Sequence, residues 1–389
     1  MRIVIDLLSF TGQRGGTETY AREIIPRLAQ QLPDAELVAL TNRAGDAAVR
    51  EFFPGRVVRL SPVGADRVTW ALGAVLLVAP AARRLGADVL WCPANFGPIV
   101  HGRPRVVTAH DAIYHEGTGG PVARVVNRTT SWLAARSART ADAVITVSRS
   151  AAQAVERHMG VPPERITVIP NGATAPAPPV DPWSHLTALG IDPGRPVVLS
   201  TGNRLPHKNL EGLLQAVATI PPDRRPQLVV SGGGAGDPLK ALRDGLGLSD
   251  RVILPGWVSD TQLEALYAVA SLYACPSLVE GFGLPVVDAM RRGVPVLAND
   301  IPVLREVGGD LAAYADATDP AAFGAAIETA LASADVDASA DGDADADAQP
   351  DARRRSLQAW AERFDWGACA AATADVLAST AAARERASA

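Results

Sequence analysis

Short runs of β-branched residues alternate with longer helical stretches along almost the whole chain, and this alternation constrains the fold more than any other feature. Strands are expected at Arg2–Asp6, Glu36–Leu40, Val106–Ala109, Ala143–Val147, Ile166–Val168, Val197–Ser200, Leu228–Val230, Val252–Leu254, Leu272–Cys275 and Val296–Ala298. Helices are expected between them, for example at Thr17–Ala29, Arg124–Arg139 and Leu210–Val217. Apolar runs of about four or five residues that alternate with helices suit strands buried on both faces, as in parallel sheets built from βαβ units. The expected fold class is therefore α/β, with doubly wound parallel sheets.

The series breaks at "IPNGATAPAPPVDPW", where five prolines lie within Pro170–Pro182. A proline cluster of this kind marks a linker. With 389 residues available, two domains are expected, at 1–175 and 176–389. Two doubly wound halves joined there would face a central cleft, where strand carboxyl ends favour ligands. A second break, "ADVDASADGDADADAQPDARRR" at 334–355, has almost no apolar content and is expected to be a disordered acidic loop. After it, Trp360, Phe364 and Trp366 are candidate anchors for a closing helical segment.

Charge is unevenly spread. Residues 1–175 carry 20 arginines, no lysine and 14 acids, a surplus of six, whereas the remainder carries an excess of eleven acids. A basic first half suits an anionic partner or membrane surface, and equally suits ordinary drift in surface composition. Within it, "VARVVNRTTSWLAARSART" interleaves Arg124, Arg128, Arg136 and Arg139 with Trp132. Together with the apolar Trp70–Ala82 segment, that helix suits peripheral contact with an anionic membrane, or a plain solvated face. Cys92, Cys275 and Cys369 form no metal-ligand pattern and read as buried thiols of a reducing compartment. The opening "MRIVIDLLSF" reads as a first strand rather than a signal peptide, and no apolar run reaches the length of a membrane span. The expected location is cytoplasmic, with or without contact at the inner membrane face. No nucleic-acid motif is present.

The chemistry concentrates in two strand–loop–helix segments. In "PSLVEGFGLPVVDAM", Gly281 and Gly283 permit tight backbone geometry, and Pro285 suits the first turn of a helix. The exposed amides and dipole of such a helix start suit a phosphate or diphosphate. Glu280 and Asp288 flank it, and two acids there would accept hydrogen bonds from hydroxyls on either side of a diphosphate. Each acid also has a plainer reading, as a stabiliser of the helix N-terminus. In "LSTGNRLPHKNLEGL", Arg204, His207 and Lys208 lie in a loop after a strand. The chain has two lysines, Lys208 and Lys240, against 35 arginines. A compact ammonium in that loop suits a diphosphate oxygen.

These segments, with "GGTETYAREI", "VVTAHDAIY", "VITVSRSAAQAV", "VIPNG" and "GWVSDTQLEALYAVASLYACPS" in this order, resemble the retaining, nucleotide-sugar-dependent glycosyltransferases of family 4. The resemblance extends over nearly the whole chain. It implies a GT-B fold of two Rossmann-like domains, an acceptor domain followed by a nucleotide-sugar domain, with the C-terminal helix returning toward the first. It implies no metal and no separate cofactor, the nucleoside-diphosphate sugar being a co-substrate, with a GDP-sugar slightly favoured. By resemblance, Glu280 contacts the donor sugar and Asp288 the ribose diol, while Arg204 and Lys208 neutralise the diphosphate with amides near Gly281, Phe282, Gly283 and Leu284. Gly15 and Gly16 admit the donor phosphates, His110 borders the transferred sugar, and Trp257 and Val258 lie near the base. Two departures stand out. The family's second acid is usually Glu, so the shorter Asp288 implies a shifted or water-mediated ribose contact. The family's arginine often sits five residues before the lysine, where this chain has Asn203.

The implied activity is transfer of a hexose, mannose-like or deoxy, to a hydroxyl of a glycan, lipid-linked or small-molecule acceptor, in polysaccharide biosynthesis. A nucleotide-sugar epimerase or hydrolase on the same fold, and a weakly catalytic binding scaffold, are the alternatives. A dinucleotide oxidoreductase is disfavoured, because in "VVSGGGAGD" the last glycine of the fingerprint falls on Asp237.

Overall fold

The computed structural model describes residues 1–12, 15–64, 67–100, 102–111, 121–339 and 348–388. They form two compact units, Met1–Gly172 with Asp365–Ala389, and Ala173–Phe364.

The first unit runs β1 (Arg2–Leu7), α1 (Gly16–Gln31), β2 (Glu36–Thr41), α2 (Asp46–Arg50), β3 (Arg56–Arg59), α3 (Arg67–Leu76), α4 (Val78–Arg84), β4 (Val89–Cys92), β5 (Arg105–Ala109), α5 (Pro121–Arg139), β6 (Ala143–Thr146), α6 (Arg149–Ala154) and β7 (Ile166–Val168). Its sheet has the order β3-β2-β1-β4-β5-β6-β7. Every pairing is parallel, in register Arg2↔Glu36 through Leu7↔Thr41 for β1 and β2. One face buries Val4, Leu90, Val107 and Val144 under Val78, Ala82, Ala134 and Ala138 of α4 and α5. The other carries α1 and α15 (Trp366–Ser388), which pack along each other.

The second unit runs α7 (Pro182–Leu186), β8 (Val197–Thr201), α8 (Leu210–Thr219), β9 (Gln227–Ser231), α9 (Leu239–Gly245), β10 (Val252–Gly256), α10 (Asp260–Val269), β11 (Leu272–Cys275), α11 (Leu284–Arg291), β12 (Val296–Asn299), α12 (Pro302–Gly308), β13 (Ala313–Ala315), α13 (Pro320–Ser339) and α14 (Ala348–Glu362). The sheet order is β10-β9-β8-β11-β12-β13, again all parallel. Helix starts follow the local chemistry. Ser259 and Gln262 form a reciprocal capping box on α10, and Asp181 caps α7 with Pro182 at its first turn.

All ten expected strands are present, and three more were not anticipated: β3, β4 and β13. Each has only three or four residues, as do the anticipated β6, β7, β11 and β12. The expected division at 175/176 is corrected in one respect. The last 25 residues belong to the first unit, because α15 buries Trp366, Ala370, Thr373 and Leu377 there, whereas the chain up to Phe364 packs in the second. The expected acidic loop at 334–355 is also corrected. Residues 334–339 end α13 and 348–355 begin α14, while 340–347 lie outside the described residues.

Candidate active site

The order of each sheet reverses once. In the second it does so between β8 and β11, so the loops that leave these strands diverge and open a crevice at their carboxyl ends. The loop after β8 carries Lys208 and the loop after β11 carries Glu280. The Lys208 Nζ donates to Glu280 Oε1 at 2.6 Å, with the two side chains 19% and 10% exposed. The pair is held from both sides. Lys208 ends a short 3₁₀ turn, Pro206–Lys208, followed by Asn209 in a left-handed conformation whose side chain donates to the Ala317 carbonyl. The Leu278 N–H donates to the His207 carbonyl, which ties the two loops together. Burial, then the neighbouring ammonium, hold the His207 imidazole below its usual range.

Gly283 has φ +96, a conformation side chains rarely adopt, and an added Cβ would lie 2.8 Å from Leu304. It begins α11, whose N-terminus no side chain caps. Gly281 and Phe282 are buried, Phe282 edge-on to Phe364, and Leu284 opens the helix. At the end of β10, Trp257 is 54% exposed while Val258 is buried.

Asp288 is committed locally. Its Oδ1 accepts the Thr174 N–H at 2.9 Å, and Arg292 approaches the same oxygen at 3.7 Å. Arg292 donates to the Asp288 and Thr174 carbonyls, pairs with Glu264 and stacks over Tyr267. Glu264 in turn accepts the Ala177 N–H. The shorter acid is thus tied to the proline-rich linker, so a ribose contact is not its sole engagement.

The role expected for Arg204 is corrected. Its Nε donates to both Asp237 oxygens at 3.0 Å, and Nη2 donates to Asp237 Oδ2 at 2.8 Å and the Val230 carbonyl at 3.1 Å. Its Nη1 donates to the carbonyls of Gly202 at 2.9 Å and Ser231 at 3.4 Å. A guanidinium has five N–H donors, and all five are engaged within the fold.

Gly15, Gly16 and His110 belong to the first unit. Neither glycine is demanded by the fold: Gly15 is extended, with φ −173, and an added Cβ on either would meet nothing within 4 Å. His110 follows β5 and is buried. Its Nε2 lies 2.7 Å from the Pro93 carbonyl and therefore carries the proton. Burial lowers its pKa to about 4, so the ring is neutral at physiological pH. With that proton spent on a carbonyl, His110 is not placed to act as a general base near neutral pH.

Several positioning groups were not anticipated. Asn95, at φ +64, accepts the His110 N–H at 2.6 Å, and Asn is among the few non-glycine residues at home there. Glu18 closes the loop before α1 by accepting the Thr11 N–H at 2.7 Å and its hydroxyl at 2.9 Å. Asp237 and Glu264 lie in quoted segments, but no role was read for them or for Arg292. Among the described residues, no three His, Cys, Asp or Glu side chains come together as a metal-binding group. No helix among them is long and apolar enough to cross a membrane.

Residues 14–174 match the model for Glycosyltransferase Family 4, and residues 183–343 match that for Glycosyl transferases group 1. The protein is a glycosyltransferase of the GT-B fold. This glycosyltransferase is 39% identical to Escherichia coli O-antigen chain mannosyltransferase B over 133 residues, 33% of this chain and 35% of the relative. It is 28% identical to the D-inositol 3-phosphate glycosyltransferase of Rhodococcus jostii (strain RHA1) over 326 residues, 75% of this chain and 71% of the relative. Its fold superposes on Anabaena HepE, solved with UDP and glucose, with a TM-score of 0.73 at 24% identity, covering 97% and 100% of the two chains.

Proposed function

We propose that the enzyme transfers a hexose from a nucleoside-diphosphate sugar to an acceptor hydroxyl on a glycan, lipid-linked or small molecule, with retention at the anomeric carbon and without a metal. The observation that carries this reading is the Lys208–Glu280 pair at the reversal of the second sheet, beside the uncapped start of α11. As the glycosidic bond loosens, the sugar becomes oxocarbenium-like and charge gathers on the departing diphosphate. Lys208 and the α11 amides would stabilise that charge, where preorganised electrostatics contribute most. Glu280 would hold Lys208 in place before the donor arrives and accept hydroxyls of the sugar afterwards. Trp257 offers an exposed ring to the base, with Val258 beneath it. Asp288 would reach the ribose while it holds the linker. Gly15 and Gly16 would admit the donor phosphates, and His110 would orient the transferred sugar. No carboxylate is assigned as nucleophile; the departing phosphate would serve as base for the acceptor.

A GDP-mannose-type donor is supported by the 39% identical stretch shared with a mannosyltransferase. The anionic inner face of a membrane is the proposed resting place. On α5, Arg128, Trp132, Arg136 and Arg139 form one exposed stripe, and 121–139 contains no acid.

Calorimetric titration of GDP, UDP, dTDP and ADP, followed by turnover with and without acceptor, tests the proposal. One nucleoside diphosphate should bind selectively, and Lys208→Ala should lower turnover about a hundredfold, some ~2.7 kcal/mol of barrier. Near-normal kinetics in Lys208→Ala would remove that residue from the site. Donor consumption that ignores acceptor would indicate a hydrolase or epimerase instead.

A further inference from the structure

We infer that Asp237 and Arg204 form a positioning pair that fixes the Lys208 loop against the second sheet, so that Arg204 serves the reaction through Lys208 rather than by touching the donor. The inference rests on the reading of Lys208 as the diphosphate's cation. Three features of the second unit carry it.

The first is saturation, since every N–H of Arg204 is engaged by Asp237 and by the carbonyls of Gly202, Val230 and Ser231. These carbonyls lie at the carboxyl ends of the adjacent strands β8 and β9. One guanidinium therefore joins the loop after β8 to the strand end beside it.

The second is the anchor. The Asp237 side chain is 1% exposed and also accepts the Leu239 N–H at 3.1 Å, at the start of α9. Burial pushes its carboxyl up, but the hydrogen bonds and charge of Arg204 prevail and hold it below the usual range. A buried carboxylate with this many donors is a fixed point, and removing either partner leaves the other charge uncompensated.

The third is the space around the pair. An added Cβ on Gly233 would lie 2.0 Å from Asp237 Oδ2 and 2.7 Å from Arg204 Nη2; one on Gly232, at φ +106, would lie 2.4 Å from the Gly202 carbonyl oxygen. Gly233 is thus accounted for by close packing around this ion pair, and Gly232 by its positive φ and its approach to the Gly202 backbone; Gly234 and Gly236 meet no such neighbour. Only Leu205, Pro206 and His207 separate Arg204 from Lys208, and the turn bonds Lys208 N–H to the Leu205 carbonyl and Asn209 N–H to the Pro206 carbonyl make that stretch stiff. A shift at Arg204 would reach the Lys208 ammonium, and misplacement by about 1 Å is enough to cost about a hundredfold in rate.

The test is a set of double-mutant cycles on the full chain, with thermal midpoints as a folding control. Arg204→Met and Asp237→Asn should each lower kcat about 30-fold, and the double variant no further. In a Lys208→Ala background either change should cost less than about threefold, because the ammonium it positions is gone. Affinity for the nucleoside diphosphate should fall while that for the monophosphate stays constant, a split that a general loss of stability would not produce. If Arg204→Met does not fold, Asp237→Asn alone carries the same cycle. Additive losses in the Lys208→Ala background would overturn the inference while leaving Lys208 in its role. So would undiminished diphosphate binding in Asp237→Asn alongside its loss in Arg204→Met, the pattern of a direct ligand. Normal turnover of Lys208→Ala alone would overturn the reading of Lys208, and this inference with it.

Discussion

Two buried titrating groups in the first unit should oppose each other across the acid range, and removing one should expose the other. Asp6, in β1, is buried with the Leu8 N–H on its Oδ1. Burial raises its pKa from 3.8 to about 7, against the weaker pull of that hydrogen bond. Between those values the native state holds a proton that the unfolded chain has released, so Asp6 makes stability fall as pH rises. A displacement of about three pH units amounts to about 4 kcal/mol. His110 acts in the other direction. Burial lowers its pKa from 6.5 to about 4, so between those values the unfolded chain holds the extra proton and stability rises with pH. About 2.5 pH units amount to about 3 kcal/mol. From about pH 4 to 6.5 the two gradients largely cancel. Asp6→Asn removes the first and should leave stability of the first unit climbing by up to about 3 kcal/mol over that window. Hydrogen exchange on β1 and β5 at a series of pH values reads this unit without assuming that both units unfold together. A variant whose protection follows the same pH profile as the wild type would show that Asp6 is ionised in the fold, and the argument would fail.

Gly283→Ala should destabilise the second unit by at least about 1 kcal/mol, from the positive φ together with the Leu304 contact, measurable as a lowered denaturation midpoint. Gly15→Ala should leave the denaturation midpoint of the first unit unchanged, since an added Cβ meets nothing within 4 Å, yet raise donor KM about tenfold where the loop meets phosphate. Activity should survive a chelator; complete loss restored by Mn²⁺ or Mg²⁺ would overturn the metal-free proposal.

The strands and the chemical segments were legible because they are local. Buried parallel strands such as β8, which opens on "VVL", and β11, "LYAC", announce themselves by short, largely apolar runs. Lys208 stood out as one of two lysines against 35 arginines, set in a loop after a strand, and the Gly-Phe-Gly-Leu-Pro run marked a helix start whose Gly283 does have the positive φ that glycine permits. Of the strands that escaped this reading, β3 and β13 are edge strands with no buried apolar run, whereas β4, "VLWC", is as apolar as β11 and was legible on the same ground.

What the sequence by itself determined was the fold class, the order of the βαβ units and the loops in which the chemistry lies, since each depends on residues a few positions apart. The tertiary structure decided which side chains have already found partners. Arg204 and Lys208 read alike as cations of one loop, yet the first meets a carboxylate 33 residues away and the second one 72 residues away. Asp288 is claimed by an amide 114 residues distant. Hydrogen bonds and ion pairs depend on distance in space, and only the folded chain brings such positions within 3 Å of each other.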